Sequence, residues 1–491
     1  MKVAALGSTT LALGAALVAG AGAASAADLP ARVYTKAPPM VVQAYNWTGF
    51  YAGVNAGLGF GRSKTDVAVG GILDPHSRLG GLGALGGAQI GYNLQTGNFL
   101  GLGNLVFGVE ADIQGASLED NRTCMFICAN GTGLNVHQKL DWFGTARGRV
   151  GIASGSVLSY FTGGFAYGSV KTNISDLAGV VNDSYSSTRT GWTIGSGVEA
   201  ALGGNWTGKV EYLYVDLGTQ SGANPVAGYT YSSEVREHIF RAGLNYRFGG
   251  TGVYAPEPVA NWAGFYIGGN GGGATALNKS GLQFPGTLNE KFNLSPDGYF
   301  GGAQIGYNWQ AANFVYGLEA DIQGGSLKDN YACQFVCSVP NSVLIAFNQK
   351  MEWFGTVRGR VGYSIGSSLF YATGGLAYGN VKTQLSGANG AGFPIDESFS
   401  RTKVGYAVGG GIESPFDLFG WFGKNWTAKT EYLYVDLGPN SDSYSTTLSA
   451  FSPFFGRRNV SVAHTYSTDV NEHIFRTGLN YHFDAPVVAK F

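Results

Sequence analysis

The chain has 491 residues, a formal net charge of −1, and only 13% Asp, Glu, Lys and Arg, about half the ~25% of ordinary soluble domains. Such a balance excludes an electrostatic grip on nucleic acid and a polybasic membrane patch. Its 79 glycines come with 30 Phe, 27 Tyr and 9 Trp; disordered segments are poor in aromatics, so the composition points to packed β structure.

Residues 1–26 read as a secretory signal peptide: Lys2, a small-apolar run from Leu11 to Ala23, then Ala24-Ser25-Ala26 as the cleavage site. No later stretch reaches the roughly 18 consecutive apolar residues of a spanning helix, so a membrane crossing must be made by strands. Residues 27–46, with Pro30, Pro38 and Pro39, have no period and read as a periplasmic tail.

Strict alternation then begins, and a two-residue period means strands. The first strand sets Phe50, Ala52, Val54, Ala56, Leu58 and Phe60 against Tyr51, Gly53, Asn55 and Gly57. A polar loop to about Gly83 leads to the second, with Ala88, Ile90, Tyr92 and Leu94 outward and Gln89 and Asn93 inward. The third puts Phe107, Val109, Ala111 and Ile113 outward, opposite Glu110, Asp112 and Gln114. A long loop holding Cys124 and Cys128 precedes the fourth, where Leu140, Trp142, Ala146 and Val150 oppose Lys139, Asp141, Arg147 and Arg149. After a turn at Ala153-Ser154-Gly155-Ser156, the fifth strand (about Val157 to Lys171) has two similar faces and no evident orientation. The sixth carries Trp192, Ile194 and Val198 against Thr193 and Glu199, and the seventh Trp206, Val210 and Tyr212 against Lys209 and Glu211. The eighth ends in Phe240, Ala242, Leu244, Tyr246 and Phe248, backed by Arg241, Gly243, Asn245 and Arg247.

An apolar face backed by a polar one suits a strand with lipid outside and a polar lumen inside. In a bilayer such a sheet must close, since an open edge leaves backbone groups unpaired in hydrocarbon. Eight strands with short turns alternating with long loops predict an up-and-down antiparallel barrel, and Trp47 and Trp206 are expected in an aromatic belt at its short-turn side.

From Trp262 everything recurs: Trp262-Ala263-Gly264-Phe265-Tyr266 matches Trp47-Thr48-Gly49-Phe50-Tyr51, Trp353 to Gly362 matches Trp142 to Gly151, and Glu431 to Gly438 repeats Glu211 to Gly218. The expected organisation is a first barrel at 47–248, a linker at 249–261 with Pro256 and Pro258, a second barrel at 262–483, and an extension at 484–491. The alternative is one sixteen-stranded barrel with the properties of a porin that passes small polar solutes.

Charged residues assigned to the lumen form the strongest chemical pattern. In the first repeat they are Glu110, Asp112, Asp141, Glu199 and Glu211 with Lys139, Arg147, Arg149, Lys209 and Arg241. In the second they are Glu319, Asp321, Glu352, Glu413 and Glu431 with Lys350, Arg358, Arg360, Lys429 and Arg476. Eight strands leave room only for side chains, so these charges must pair. A structural salt-bridge core is the preferred reading over an ion path. Cys124 with Cys128, and Cys333 with Cys337, are expected to form disulfides in an oxidising compartment, each contributing at most ~2 kcal/mol because the loop is short. Two Cys without repeated His offer too few ligands for a metal, and nothing indicates a cofactor. His238 and His473 follow Glu237 and Glu472, but no nucleophile recurs beside them, so the chain reads as non-catalytic.

Several motifs are more specific: Ala-Asp-Leu-Pro at Ala27 to Pro30, Trp47-Thr-Gly-Phe-Tyr-x-Gly, Thr162-Gly-Gly-Phe-Ala-Tyr-Gly168, Glu211-Tyr-Leu-Tyr-Val-Asp-Leu-Gly, and the Gly-Leu-Asn-Tyr-x-Phe ending. In these the chain resembles the RopB-type family of alphaproteobacterial outer-membrane proteins, small eight-stranded barrels. The resemblance implies a non-enzymatic protein of the Gram-negative outer membrane, concerned with envelope integrity and surface contact, some members being proposed as pores. Implied partners are outer-membrane lipid, lipopolysaccharide and host or surface contacts through the loops. Both closing strands also resemble the signal read by barrel-assembly machinery. The chain departs from the family in its duplication and in continuing past Phe483 to Phe491.

Overall fold

A computed structural model describes residues 45–483 except 70–71, 80, 99–103, 126–133, 177–178, 250–259, 277, 284–288, 333–343, 389–393, 417–422, 424 and 453–455. The first barrel is built from β1 (Gly49–Gly61), β4 (Leu82–Asn98), β5 (Asn104–Met125), β6 (Leu134–Ser154), β7 (Val157–Asp176), β8 (Asn182–Gly203), β9 (Trp206–Asn224) and β10 (Tyr229–Phe248). Neighbours pair antiparallel in that order, and β1 returns to β10 with Phe50 opposite Phe248 and Ala56 opposite Ala242. The second barrel repeats the plan with β11 (Gly264–Ala276), β14 (Asp297–Ala311), β15 (Phe314–Ala332), β16 (Leu344–Ile365), β17 (Ser368–Ala388), β18 (Pro394–Pro415), β19 (Trp426–Ser452) and β20 (Gly456–His482). It closes with Tyr266 opposite His482. A single sixteen-stranded ring is thereby overturned: Phe248 pairs within its own repeat, and so does Tyr266.

The outward face is the one the alternation assigns to lipid, with Val54 61% and Val109 62% exposed. The fifth strand, which had no evident orientation, turns Phe161 and Phe165 out and Tyr160, Thr162 and Ala166 in. No helix among the described residues is long and apolar enough to cross a membrane. Strands such as β5 and β6 run well beyond the 9–11 residues that a bilayer requires, so their upper parts carry the wall beyond it.

Three expectations need correction. The polar loop after β1 contains a hairpin, β2 (Ser63–Val69) and β3 (Ile72–Leu79), whose first strand lies on β10 with Val69 opposite Tyr229 and Lys64 opposite Glu234. The cause is length: β10 outruns β1, and its upper N–H and C=O groups find partners in β2. β12 (Asn278–Gln283) and β13 (Asn289–Leu294) repeat the device on β20.

Second, the β6–β7 register shifts between Leu140 and Trp142, and the β16–β17 register between Met351 and Trp353. One extra residue swaps the faces of everything above it. Leu140 therefore points inward, 3% exposed. Lys139 and Asp141 turn outward and pair with each other at 3.0 Å. Lys350 and Glu352 do the same at 2.9 Å.

Third, Trp47 is not in an interfacial belt; it and its repeat counterpart Trp262 are fully buried at the short-turn end of the lumen. Trp47 lies ahead of β1, where the chain bends under the barrel, and its indole N–H donates to the Gly155 carbonyl at 3.3 Å. Gly155 occupies the β6–β7 turn at φ 56, a left-handed conformation that favours glycine. Trp206 does stand on the outer surface.

Candidate functional site

In each barrel the middle of the lumen is filled by ions. Inward positions of adjacent strands bring Glu110 and Asp112 of β5, Arg147 and Arg149 of β6, Glu199 of β8, Lys209 and Glu211 of β9 and Arg241 of β10 to one level. Arg147 donates to Glu211 and Asp112, each at 2.9 Å, and also to Glu110. Arg241 donates to Glu211 and Asp112 at 2.8 Å, and Lys209 to both oxygens of Glu110 at 2.8 Å. Arg149 reaches Glu199 at 3.0 Å, packed over the rings of Tyr51 and Tyr160.

Neutral donors complete the cage. The hydroxyls of Tyr51 and Tyr160 donate to Glu110 and Glu211, that of Thr145 to Asp112, and the Asn245 amide to Glu199. Desolvating so many charges is costly unless the remaining lone pairs are satisfied, and these donors satisfy them. Inward glycines make the space: a Cβ at Gly91 would collide with the Tyr51 hydroxyl, and one at Gly306 with that of Tyr266.

The second lumen repeats the arrangement with Arg358 on Glu319, Asp321 and Glu431, Arg476 on Glu431 and Asp321, Lys429 on Glu319, and Arg360 on Glu413. Of the predicted lumen charges, Asp141 and Glu352 lie outside this cage, with Lys139 and Lys350, because of the bulge. Sequence reasoning left out the tyrosines. Tyr51 had the right parity, but hydroxyls were not counted among the charge partners; Tyr160 sits on the strand whose faces could not be told apart.

Apolar layers close both ends. Trp47, Val106, Leu158 and Tyr160 pack below the first cage. Leu118, Leu140, Phe143, Leu213 and Ile239 pack above it. Higher still come a polar layer, in which Thr65 meets Ser233 at 2.8 Å and Thr172 meets Gln220 at 2.8 Å, and a cap of Val67, Val136, Tyr229 and Tyr231. Chemically the cage is a plug: each of its carboxylates is already held by cations.

His238 and Glu237 do not form a dyad. Successive residues on a strand face opposite ways, so Glu237 is inside while the His238 imidazole lies 2.8 Å from the outward Tyr212 hydroxyl. The four cysteine side chains, the signal segment and residues 484–491 lie outside the described residues. Among the described residues no group of three or more His, Cys, Asp or Glu is placed to hold a metal.

A family model described as outer membrane protein beta-barrel domain matches residues 13–248 and again 250–483. A 31 kDa outer-membrane immunogenic protein of Brucella melitensis is 38% identical over 238 residues, covering 46% of this chain and 95% of the relative. A 22 kDa outer membrane protein of Rhizobium leguminosarum is 32% identical over 208 residues, 42% of this chain and 78% of its own. Among solved structures, Neisserial surface protein A aligns at 16% identity with a TM-score of 0.21, covering 41% of this chain and 98% of that one.

Proposed function

Because the chain belongs to the outer membrane protein beta-barrel domain family, carried twice in tandem, we propose that it is a non-catalytic outer-membrane protein whose two plugged barrels support the envelope and display surface hairpins. The observation that carries this reading is the plug: among the described residues an ion cage fills the middle of the lumen and apolar layers pack on either side of it. An eight-stranded interior is filled by side chains, and a permeating ion would have to break several buried pairs at once. The extended walls above the lipid-facing band supply the displayed surface, and the word immunogenic in the Brucella proteins' names fits such display. Outer-membrane lipid, lipopolysaccharide and the barrel-assembly machinery are the partners this reading requires.

Conductance tests it. The purified full chain, reconstituted in a planar bilayer, should give no stepwise current above the protein-free baseline. Steady ohmic steps from the unmodified protein would replace this reading with a pore.

A further inference from the structure

The two barrels touch through the same patch on each. Phe240 and Phe475, equivalent residues of the two closing strands, lie 5.4 Å apart between ring centroids. Around them the contacts are reciprocal: Tyr212 meets Phe475 at 5.0 Å, and its counterpart Tyr432 meets Phe240 at 5.6 Å. Such reciprocity marks a local two-fold relation, and because the short-turn end of one barrel meets the short-turn end of the other, the barrels stand side by side in the same orientation. Nearer the short turns, Ile412 packs on Val157, Val198 and Ala200. Ile412 and Val198 face outward yet are buried, whereas Ile194 on the same face is 56% exposed.

Between these contacts the walls part and leave a cavity of about 840 Å³. Its side chains are mostly apolar: Leu58, Ala242 and Leu244 from the first barrel, Phe314, Val361 and Ala372 from the second, while the Thr430 hydroxyl on its wall is bonded to that of Thr477 at 2.9 Å. Leu244, Phe314 and Val361 belong to the lipid-facing surface, so the cavity is continuous with the hydrocarbon of the bilayer. Its depth is set by the turns. Leu202 lies just before the β8–β9 turn, and Tyr363 and Phe370 flank the β16–β17 turn, which places the mouth at the leaflet facing the periplasm. The aromatic seam of Phe240, Phe475, Tyr212 and Tyr432 separates it from a second crevice toward the surface side, which holds Arg62, Lys64 and Trp192.

We propose that this cavity holds the acyl chains of a glycerophospholipid of the periplasm-facing leaflet, wedged between the two barrels as part of their interface. Empty, its walls would forfeit dispersion contacts on one side, and an apolar cavity does not hold water. A flexible hydrocarbon chain entering from the adjoining leaflet restores those contacts without burying a polar group. The volume is within the usual range for a lipid- or drug-sized site. Because the lining recognises chain rather than headgroup, phospholipids of different headgroup should compete on nearly equal terms.

Native mass spectrometry of the full chain, released gently from outer membranes, tests this. The unmodified protein should retain a phospholipid adduct. The double variant Ala242→Trp, Ala372→Trp, which fills the cavity, should reduce that adduct at least tenfold, while Ala146→Trp on a lipid-facing strand away from the contact should keep it. A phospholipid bearing a photoreactive diazirine in its acyl chain gives a second readout needing no variant: cross-links should concentrate on peptides holding Leu244 or Phe370. Absence of any phospholipid adduct, its persistence in the double variant, retention of lipopolysaccharide instead, or cross-links spread evenly over peptides such as that of Phe161 would each overturn the proposal.

Discussion

The two barrels are nearly the same object in the lumen and different objects at the surface. Arg147 meets Glu211 at 2.9 Å in the first, and Arg358 meets Glu431 at 3.0 Å in the second. By contrast, the last hairpin is longer in the second barrel: β9 and β10 have 19 and 20 residues, β19 and β20 have 27 each. A buried ion tolerates little displacement before its partners are left uncompensated. A hairpin standing in water lengthens at small cost, because each added pair of residues satisfies its own backbone. One difference inside lies at the lower rim. Arg247 stacks on Tyr45 and Trp47 and donates to the Thr48 carbonyl. Its counterpart His482 instead reaches Glu413 at 3.1 Å and so joins the cage.

The sharpest way to break this comparison is to separate the barrels. Each strand of the first finds both neighbours within residues 49–248, so residues 27–248 and residues 251–491, each behind a signal peptide, should insert and resist heat on a semi-native gel. Failure of either half alone would mean that the copies are not equivalent folding units. Next in size is the cage. Arg147→Ala strands Glu110, Asp112 and Glu211 together and should cost roughly 3–5 kcal/mol, and Arg358→Ala should cost the same in the second barrel. Urea titration of each variant measures this, and a gap of several kcal/mol between them would end the equivalence of the two lumens. Gly91→Ala and Gly306→Ala push a methyl into the hydroxyls of Tyr51 and Tyr266; overpacking of this kind costs about 1–3 kcal/mol, and matched midpoint losses are expected. Ala146→Val, on the lipid side of the strand that carries Arg147, should stay within about 0.5 kcal/mol of the parent.

The smallest effect belongs to the surface. At the β8 tip the Asp183 carboxylate accepts from the Tyr229 hydroxyl and, at 2.8 Å, from the Asn224 amide. These bonds hold its pKa below the ordinary Asp value. A depressed carboxyl pKa contributes stability that is present above the ordinary value and is lost as pH falls through the lowered one. Acidification below about pH 4 should therefore loosen this hairpin tip, visible in the Tyr229 ring resonances, while both cages stay intact. Asp183→Asn should remove that acid-dependent step.

Alternation of side chains determined the strands, the lipid face and most of the cage, since a two-residue period states which way each residue points relative to its neighbours. The duplication, visible from Trp262 onward, likewise announced two copies, and inward parity alone placed Arg147, Arg241 and Glu211 together. Parity, however, carries no information about where it breaks. The extra residue between Leu140 and Trp142 is set by pairing with β7, and only that pairing turns Leu140 in and sends Asp141 and Lys139 out. Trp47 precedes the first alternating run, so its burial under the barrel depends on Val106 and Leu158, residues distant in sequence. The upper half of β10 acquired β2 as a partner because β1 stops short. The meeting of Phe240 with Phe475 lies further still from local sequence. Both residues sit on a face that reads simply as lipid-exposed, and only the docking of one closed barrel on another decides which lipid-facing residues become an interface.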